Sequence, residues 1–463
     1  MRQALHIFKK DVRYLWYEIT IMLACVVLVA CNLWFMLFML PIAWCCVAAR
    51  LIYAEPLVGD RLFWITRPYE WKSLLAAKAM FILAFANLPM IMADVIILLR
   101  HGFPIFENLA GVLWHQFLIT SVFVFPVVIF ATIMKGLAQL IWTTFLLLLV
   151  PLFLFHRSNT SGADWQGLDW IRYSLLIATL VLAGSIVVLR QYELRRTAMA
   201  RVLSLGALLL IVLETTYFPW VPAFSAQSWL SKQRIDPDAV HVAIEPDRTM
   251  PPLNVWPGPR SLCFQLPLRI TGLGDGVDTR ADAALVTVGS QAEIVNGSFF
   301  SDGADRFRLA FQLNRSAFEQ MKGQPVVVRA SLYLTLLGNP RSTSVPRGEQ
   351  WTDVPGVGRC TILAEPPMFV PMLHCLSALR DSSDSVSLRP ASSNLFVVAR
   401  PNSYSPYPAE LGVSPIYQFI HEITAPSDPL VMVSEEALAH FRKDAEFRDI
   451  SLANFVVPVA RTH

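Results

Sequence analysis

The sequence predicts a bundle of transmembrane helices followed by a mainly β, sandwich-like soluble domain. Long apolar blocks follow one another over residues 17–220. One of them, LAQLIWTTFLLLLVPLFLF at 137–155, carries no charge and is long enough to cross a hydrocarbon core of about 30 Å. Backbone groups in lipid must be hydrogen-bonded within the segment, which apolar helices achieve. Residues 226–463 instead alternate short apolar runs with Gly, Pro, Asp and Asn, as strands and turns do.

Residues 1–16 precede the apolar blocks and have the pattern of an amphipathic cytoplasmic helix. Leu5, Phe8 and Val12 recur at helical spacing among basic residues such as Lys9. A helix of this kind lies on a membrane surface with its apolar side chains in the lipid and its basic ones at the headgroups. The alternative is that this segment simply extends the first span.

Seven spans are predicted within the domain 17–220. They are 17–33, 35–53, 74–99, 109–132, 137–155, 171–189 and 202–218. The division of the first two spans is left open, because Trp16–Tyr53 is too long for one straight span at about 1.5 Å per residue. A tight turn near Asn32 would divide this stretch into two spans. A single tilted helix is the alternative, and it would reverse the direction of every later span.

The basic residues predict the orientation. With seven spans and a cytoplasmic N-terminus, most Lys and Arg residues of the connecting segments face the cytoplasm, whereas the short outer loops hold Arg100, Arg157 and Arg172. Cytoplasmic loops of membrane proteins are enriched in Lys and Arg. We therefore expect a multi-pass protein of the cell (plasma or inner) membrane whose domain 226–463 is extracytoplasmic. Six spans would place that domain inside, with a weaker charge bias.

Alternating and apolar runs predict the strands of the soluble domain. They lie at 239–245, 262–271, 283–295, 306–313, 325–337, 359–365, 367–374, 393–400 and 429–433. Ser316 and Glu319 have the spacing of a capping box and predict a short helix. Ser434 is expected to cap another helix that continues to about Lys443. The length of the domain suits one large sandwich or two small ones.

The cysteines of the exported domain predict one disulfide. Cys360 and Cys375 flank an expected β-hairpin in a compartment where oxidation is permitted, so we predict that they are bonded and that Cys263 is free. These cysteines, with His374 nearby, do not have the spacing of a zinc site. We expect no metal and no cofactor.

The sequence lacks the motifs of common enzyme classes. It contains no G-x-x-x-x-G-K-[ST] nucleotide loop, no H-E-x-x-H and no G-x-S-x-G. The net charge is only +3, and no basic stripe with interleaved aromatic residues is present, which argues against nucleic-acid binding. We therefore expect a protein that is not an enzyme and binds no nucleic acid.

Three ionisable residues, Asp94, His115 and Glu214, fall inside the predicted spans, each toward the outer end. Charged groups are costly in hydrocarbon and usually functional there. They are candidates for a polar pocket beneath the soluble domain. The alternative is that each lies at the interface and reaches water or a local partner. Lys78 and Lys135, near inner ends, are expected to extend to the headgroups.

The inner loop after the second span carries the most specific pattern. Glu55 is followed by Gly59, Pro68 and Lys78, and the sequence from Gly59 to Pro68 is GDRLFWITRP. This spacing resembles the permease subunits of ABC-2-type transporters, in which a Glu, a Gly, a Pro and a Lys recur at such intervals between the second and third spans. The resemblance covers residues 1–220. The usual core of that family has six spans, whereas a seventh span and a large C-terminal domain are predicted here.

The resemblance implies a permease subunit that moves an unidentified substrate with energy from a separate ABC-type ATPase subunit. It would lie in membrane lipid as a homodimer or heterodimer of permeases. One alternative is a membrane-anchored extracytoplasmic binding or sensing module without transport activity, and another is a membrane-embedded enzyme. The inner loop would dock the ATPase, or alternatively place its aromatic residues at the headgroups. The expected docking residues are Glu55, Gly59, Arg61, Phe63, Trp64, Arg67 and Pro68.

Overall fold

The computed structural model describes most of both halves of the chain. The described residues are 2–31, 36–55, 70–144, 168–245, 261–274, 277–289, 295–301, 306–348, 350–365, 370–379, 386–390, 415–422 and 430–457.

The N-terminal half of the chain is helical. Its helices are α1 (Arg2–Tyr14), α2 (Trp16–Ala30), α3 (Met36–Tyr53), α4 (Trp71–Ile82), α5 (Leu88–Arg100), α6 (Ile105–Ile119), α7 (Phe125–Ile133), α8 (Asp169–Leu194), α9 (Thr197–Tyr217) and α10 (Trp220–Trp229). Two π-helical turns, Leu83–Asn87 and Thr120–Val124, join α4 to α5 and α6 to α7, so each pair forms one long helix. A further helical stretch begins at residue 137 and is described as far as residue 144.

Four helical stretches in the described part of the chain are long and apolar enough to cross a membrane. They are Trp71–Arg100, Ile105–Ile133, Trp170–Leu194 and Thr197–Thr215. The bent pair α1 and α2 would add a fifth if it were counted as one span. These stretches contain the predicted spans 74–99, 109–132 and 171–189 and most of 202–218. The coarse prediction of an apolar helical region is therefore confirmed.

The described residues of the segment Trp16–Tyr53 form two helices. Helices α2 and α3 are separate and pack against each other. Helix α1 is bent by 78° from α2, so it does not simply extend the first span. A buried apolar core joins α1 to the other helices, with Ile7, Met22, Trp44 and Phe81 among its members.

The C-terminal half is rich in strands. They are β1 (His241–Ile244), β2 (Ser261–Thr271), β3 (Asp278–Val288), β4 (Val295–Ser301), β5 (Arg306–Asn314), β6 (Val326–Val345), β7 (Thr352–Val354), β8 (Gly358–Glu365), β9 (Val370–Ala378), β10 (Val386–Pro390), β11 (Ile416–Glu422) and β12 (Leu430–Ile450). A short helix, α11 (Arg315–Met321), follows β5. The confirmed architecture is thus a helical region followed by a strand-rich region.

The strands form two antiparallel sheets. The larger has the order β1-β2-β5-β4-β3-β6-β12-β10, and the smaller has the order β11-β9-β8-β7. Residues of β2, β5, β3, β6 and β12 share one buried core, which includes Phe264, Phe311 and Leu334. The long β6–β12 ribbon reaches the smaller sheet, where Val345 and Met432 join a second core.

Three sequence predictions in this half differ from the structure. Ser434 does not cap a helix, because residues Leu430–Ile450 form β12 and pair with β6 along almost the whole of that strand. The short helix after β5 begins one residue earlier than the proposed capping box, with Asn314 at its N-cap and no side-chain capping hydrogen bond. The predicted strand 283–295 is shifted, since β3 spans Asp278–Val288. The predicted strand 393–400 lies outside the described residues.

Among the described residues, two apolar clusters join the strand-rich region to the helices. At one, Trp220 and Phe224 of α10 pack edge-to-face on Tyr333 of β6, with ring centroids 4.5 and 4.9 Å apart. At the other, Leu98 and Val112 near the α5–α6 turn join a buried cluster with residues of the smaller sheet. The smaller sheet therefore packs against α5 and α6 beside the turn that joins them.

Candidate functional site

The loop predicted to dock an ATPase connects the end of α3 to the start of α4, and we call these two helix ends the base of the loop. Glu55 lies directly after α3, and Trp71 begins α4. Between them, the expected docking residues Gly59, Arg61, Phe63, Trp64, Arg67 and Pro68 lie outside the described residues.

Four charged side chains meet at this base. The Lys78 ammonium lies 2.8 Å from Asp11 Oδ2 and 3.3 Å from Glu55 Oε2. The Lys10 ammonium donates a hydrogen bond to Glu55 Oε1 and lies 3.6 Å from Asp11 Oδ1. We call Lys10, Asp11, Glu55 and Lys78 the charge cluster. It contains two positive and two negative groups, so its charges balance.

The charge cluster is buried. The side chains of Asp11, Lys78 and Glu55 expose 0%, 3% and 8% of their surface, and Lys10 exposes 35%. The expectation that Lys78 extends to the headgroups is therefore wrong, because its ammonium turns inward to two carboxylates. Breaking a buried pair by removing one partner typically costs about 3–5 kcal/mol.

Helix α1 reaches the charge cluster because it is amphipathic. Ala4, Ile7 and Asp11 recur on one side of the helix and are all buried. The ring of Phe8 stacks on Phe85 at a centroid distance of 6.0 Å, so α1 packs against the helix formed by α4 and α5. The sharp bend between α1 and α2 makes this packing possible.

A second ion pair ties the same ends of α2 and α3 together. The Arg50 guanidinium lies 3.2 Å from Glu18, and it also lies over the ring of Tyr14 at 5.8 Å. The loop base therefore joins α1, α2, α3 and α4 by charged contacts.

A second polar cluster lies at the other end of the bundle. Asp94 Oδ2 accepts hydrogen bonds from Gln116 Nε2 at 2.7 Å and lies 2.9 Å from His115 Nδ1. All three residues are buried. The structure thus brings together two of the three predicted intramembrane residues. Glu214 lies elsewhere, on α9, where it accepts a hydrogen bond of 2.8 Å from Thr179 of α8.

Sequence reasoning missed three members of this region. Gln116 follows His115 directly and was not singled out as polar. Asn87 is the last residue of the first π-helical turn, and Thr120 is the first residue of the second. Asn87 Nδ2 donates a hydrogen bond of 2.6 Å to Thr120 Oγ1. A search for uncharged polar residues inside the apolar helices would have found them.

The smaller sheet meets the turn between α5 and α6. Arg359 of β8 donates a hydrogen bond of 2.6 Å to the carbonyl oxygen of His101. Gly102 has a φ of +77°, and a Cβ at this position would lie 2.1 Å from Arg359 Nη1. The absence of a side chain at Gly102 therefore lets the guanidinium pack directly on the turn.

Cys360 and Cys375 form a disulfide between β8 and β9, where they face each other in register. Cys263 is a free, buried thiol on β2. No group of three metal-binding side chains was found among the described residues.

A half-buried histidine lies where α10 meets the larger sheet. His440 contacts Gln227 of α10 through Nε2 at 2.9 Å and Thr335 of β6 through Nδ1 at 2.7 Å. Burial lowers the pKa of His440, although the nearby Asp282 carboxylate acts in the opposite direction. His440 therefore favours its neutral form, in which one ring nitrogen donates and the other accepts.

Comparisons with family models, with curated proteins and with solved structures gave no match.

Proposed function

We propose that this chain is the membrane-spanning permease subunit of an ABC-2-like transporter and is not itself an enzyme. A separate ABC-type ATPase subunit would supply the energy, and the chain would act as a homodimer or heterodimer of permeases. The observation that carries this proposal is the charge cluster. It links the base of the inner loop to the amphipathic helix α1 and to α4 through buried charges.

A coupling loop needs a rigid connection to the helices that it moves. Glu55 lies immediately before the loop and Lys78 two turns into the helix that follows it, and their charged atoms are 3.3 Å apart. These two residues are also the first and last of the four that carry the resemblance to ABC-2-type permeases. Their contact offers a physical reason for that spacing, because it joins the two ends of the loop.

The orientation is part of the proposal. The charge bias favours a cytoplasmic N-terminus and inner loop in a cell (plasma or inner) membrane, and an extracytoplasmic strand-rich domain. In this domain, the core shared by β2, β5, β3, β6 and β12 supports a sandwich-like arrangement of the larger sheet. A disulfide in the smaller sheet is consistent with an oxidising compartment.

The proposal is tested by measuring association with the ATPase. The tagged full chain is purified from native membranes, and the ATPase subunit that co-purifies is identified and then co-expressed for affinity measurements. In a permease, the double variant Phe63→Ala/Trp64→Ala should weaken association by about 2–4 kcal/mol, or roughly 30- to 800-fold. Aromatic anchors of this kind often dominate interfaces.

Phe106→Ala is the matched control. Phe106 is 93% exposed at the start of α6, on the opposite side of the proposed membrane, so its loss should leave the association unchanged. ATP hydrolysis by the pure chain alone would contradict the proposal. If no ATPase co-purifies with the wild-type chain, the membrane-anchored binding or sensing module becomes the better account.

A further inference from the structure

Helix α10 has no ionisable side chain, although it is followed by the strand-rich region. Its ten residues read WVPAFSAQSW. A helix on the surface of a soluble protein usually turns a charged face toward water, whereas a largely apolar helix is buried on every side. The composition of α10 therefore indicates that both of its faces are covered.

One face of α10 packs inside the chain. Its buried residues share an apolar cluster with β6 and with the residue just before α8, and the members of this cluster are Leu168, Trp220, Ala223, Phe224 and Tyr333. One turn further along, Gln227 Oε1 accepts a hydrogen bond of 3.0 Å from Trp170 Nε1 of α8. This face of α10 is therefore held between the larger sheet and the start of α8.

The opposite face of α10 is uncovered. Pro222, Ala226 and Trp229 recur at helical spacing and are exposed, as is Leu230, which follows the helix. Trp229 exposes 74% of its surface and Leu230 exposes 55%. We call these four residues the exposed face of α10. Exposed apolar surface of this kind marks an interaction site, and its residues carry no charge that would suit water.

The exposed face lies beside the ends of two apolar stretches that are long enough to cross a membrane. These stretches are Trp170–Leu194 and Thr197–Thr215. Arg172 donates a hydrogen bond to the carbonyl oxygen of Thr215, so the start of the first stretch lies against the end of the second. Helix α9 ends at Tyr217 and α10 begins at Trp220, which places the two helix ends at most about 11 Å apart.

The position of α10 favours lipid as the partner of its exposed face. At the ends of spanning helices, the hydrocarbon core gives way to the headgroups, where Trp is enriched. Trp170, which binds α10 through Gln227, is itself 43% exposed and begins the exposed apolar surface of α8. Lys232 and Arg234 follow α10 and are exposed. Basic residues at this position are attracted to lipid phosphates.

We propose that the exposed face of α10 lies in the headgroup region of the bilayer and holds the strand-rich region against the membrane surface. Its ligand is a phospholipid surface. This inference rests on the membrane-spanning part of the proposed function and does not depend on transport or on an ATPase.

The test measures the surroundings of α10 in the full chain, reconstituted into vesicles of phosphatidylcholine and phosphatidylglycerol. In a variant without other free thiols, a nitroxide label is attached to a single cysteine at position 226 or 229. Paramagnetic resonance then compares its accessibility to oxygen, which concentrates in lipid, with its accessibility to a water-soluble nickel chelate. Position 182, which is 67% exposed in the middle of α8, is the lipid control, and position 322, which is 56% exposed after α11, is the water control.

The labels at 226 and 229 should be more accessible to oxygen and less accessible to nickel than the label at 322, with values between those of the two controls. Values equal to those at 322 would show that water covers this face. Protection from both reagents would show that protein covers it, as in a contact with a second copy. Either result overturns the inference but leaves the spans intact if position 182 lies in lipid. Nickel accessibility at 182 would overturn the spans and the inference with them.

A second measurement keeps the native tryptophan. The full chain is labelled with 5-fluorotryptophan and placed in lipid nanodiscs, and the fluorine resonance of Trp229 is assigned by its loss in Trp229→Phe. A phospholipid with a nitroxide on its headgroup should broaden this resonance more strongly than a water-soluble gadolinium chelate does. Broadening by the gadolinium chelate alone would contradict the proposal, as would a resonance that neither reagent broadens.

Discussion

Replacing Lys78 with methionine removes one of the two positive charges of the buried charge cluster. Asp11 and Glu55 would then share only Lys10, which lies 3.6 Å from Asp11 and is one-third exposed. The cluster would carry a net charge of −1 at a position where Asp11 has no access to water. Because the loss of one partner leaves a buried charge uncompensated, Lys78→Met should destabilise the bundle by about 3–5 kcal/mol.

The measurement is an unfolding titration in mixed micelles of mild and denaturing detergent. Lys72→Met is the matched control, since Lys72 lies on the same helix and is exposed, and it should change the stability by less than about 0.5 kcal/mol. The double variant Asp11→Asn/Lys78→Met should recover most of the loss. It removes one charge of each sign and leaves the pair between Lys10 and Glu55 intact.

Two results would refute this reasoning. If Lys78→Met costs no more than Lys72→Met, the ammonium is not compensating buried carboxylates. If the double variant is as unstable as the sum of its single changes, the lysine contributes through packing of its side chain and not through charge.

Three further predictions concern the strand-rich region. Gly102→Ala should weaken docking of the smaller sheet by about 1–2 kcal/mol, measured by limited proteolysis, since a φ of +77° is unfavourable for a residue with a Cβ. Reduction of the Cys360–Cys375 disulfide, which closes a 15-residue separation, should lower the unfolding free energy by about 3 kcal/mol, seen as a lower thermal midpoint with reductant. Because the folded pKa of His440 is lowered, its contribution to stability is fully present above the unfolded pKa of about 6.5 and is lost as pH falls below it. Thermal unfolding between pH 5 and pH 8 should show this slope, and His440→Gln should flatten it.

The hydrophobic pattern of the sequence predicted the long helices and several of the strands. Unbroken apolar runs gave the long helices such as Trp71–Arg100, because a helix in lipid must be apolar along its length. Alternating runs gave β2 and β5 almost to the residue, because one face of each strand is buried. Cys360 and Cys375 were paired correctly, since they flank one hairpin.

The hydrophobic pattern did not predict the parts of the structure that depend on contacts between residues far apart in the sequence. The segment after Ser434 is rich in Glu, Ala and Leu, which are good helix formers, yet it pairs with β6 about a hundred residues earlier. Long strand pairings of this kind override local propensity. Lys78 resembled an interfacial lysine because its partner Asp11 is 67 residues away. The pairing of Asp94 with His115 depended on how two helices pack, which spacing along the chain does not determine.

The proposed topology places the inner loop and the strand-rich domain on opposite sides of the membrane. Single cysteines at two exposed positions, Glu193 near the end of α8 and Lys322 after α11, test this most directly. In right-side-out vesicles of a variant without other free thiols, an impermeant maleimide should label position 322. Position 193 should be labelled only after the membrane is made permeable. Labelling of 193 but not of 322 in sealed vesicles would contradict the proposed arrangement.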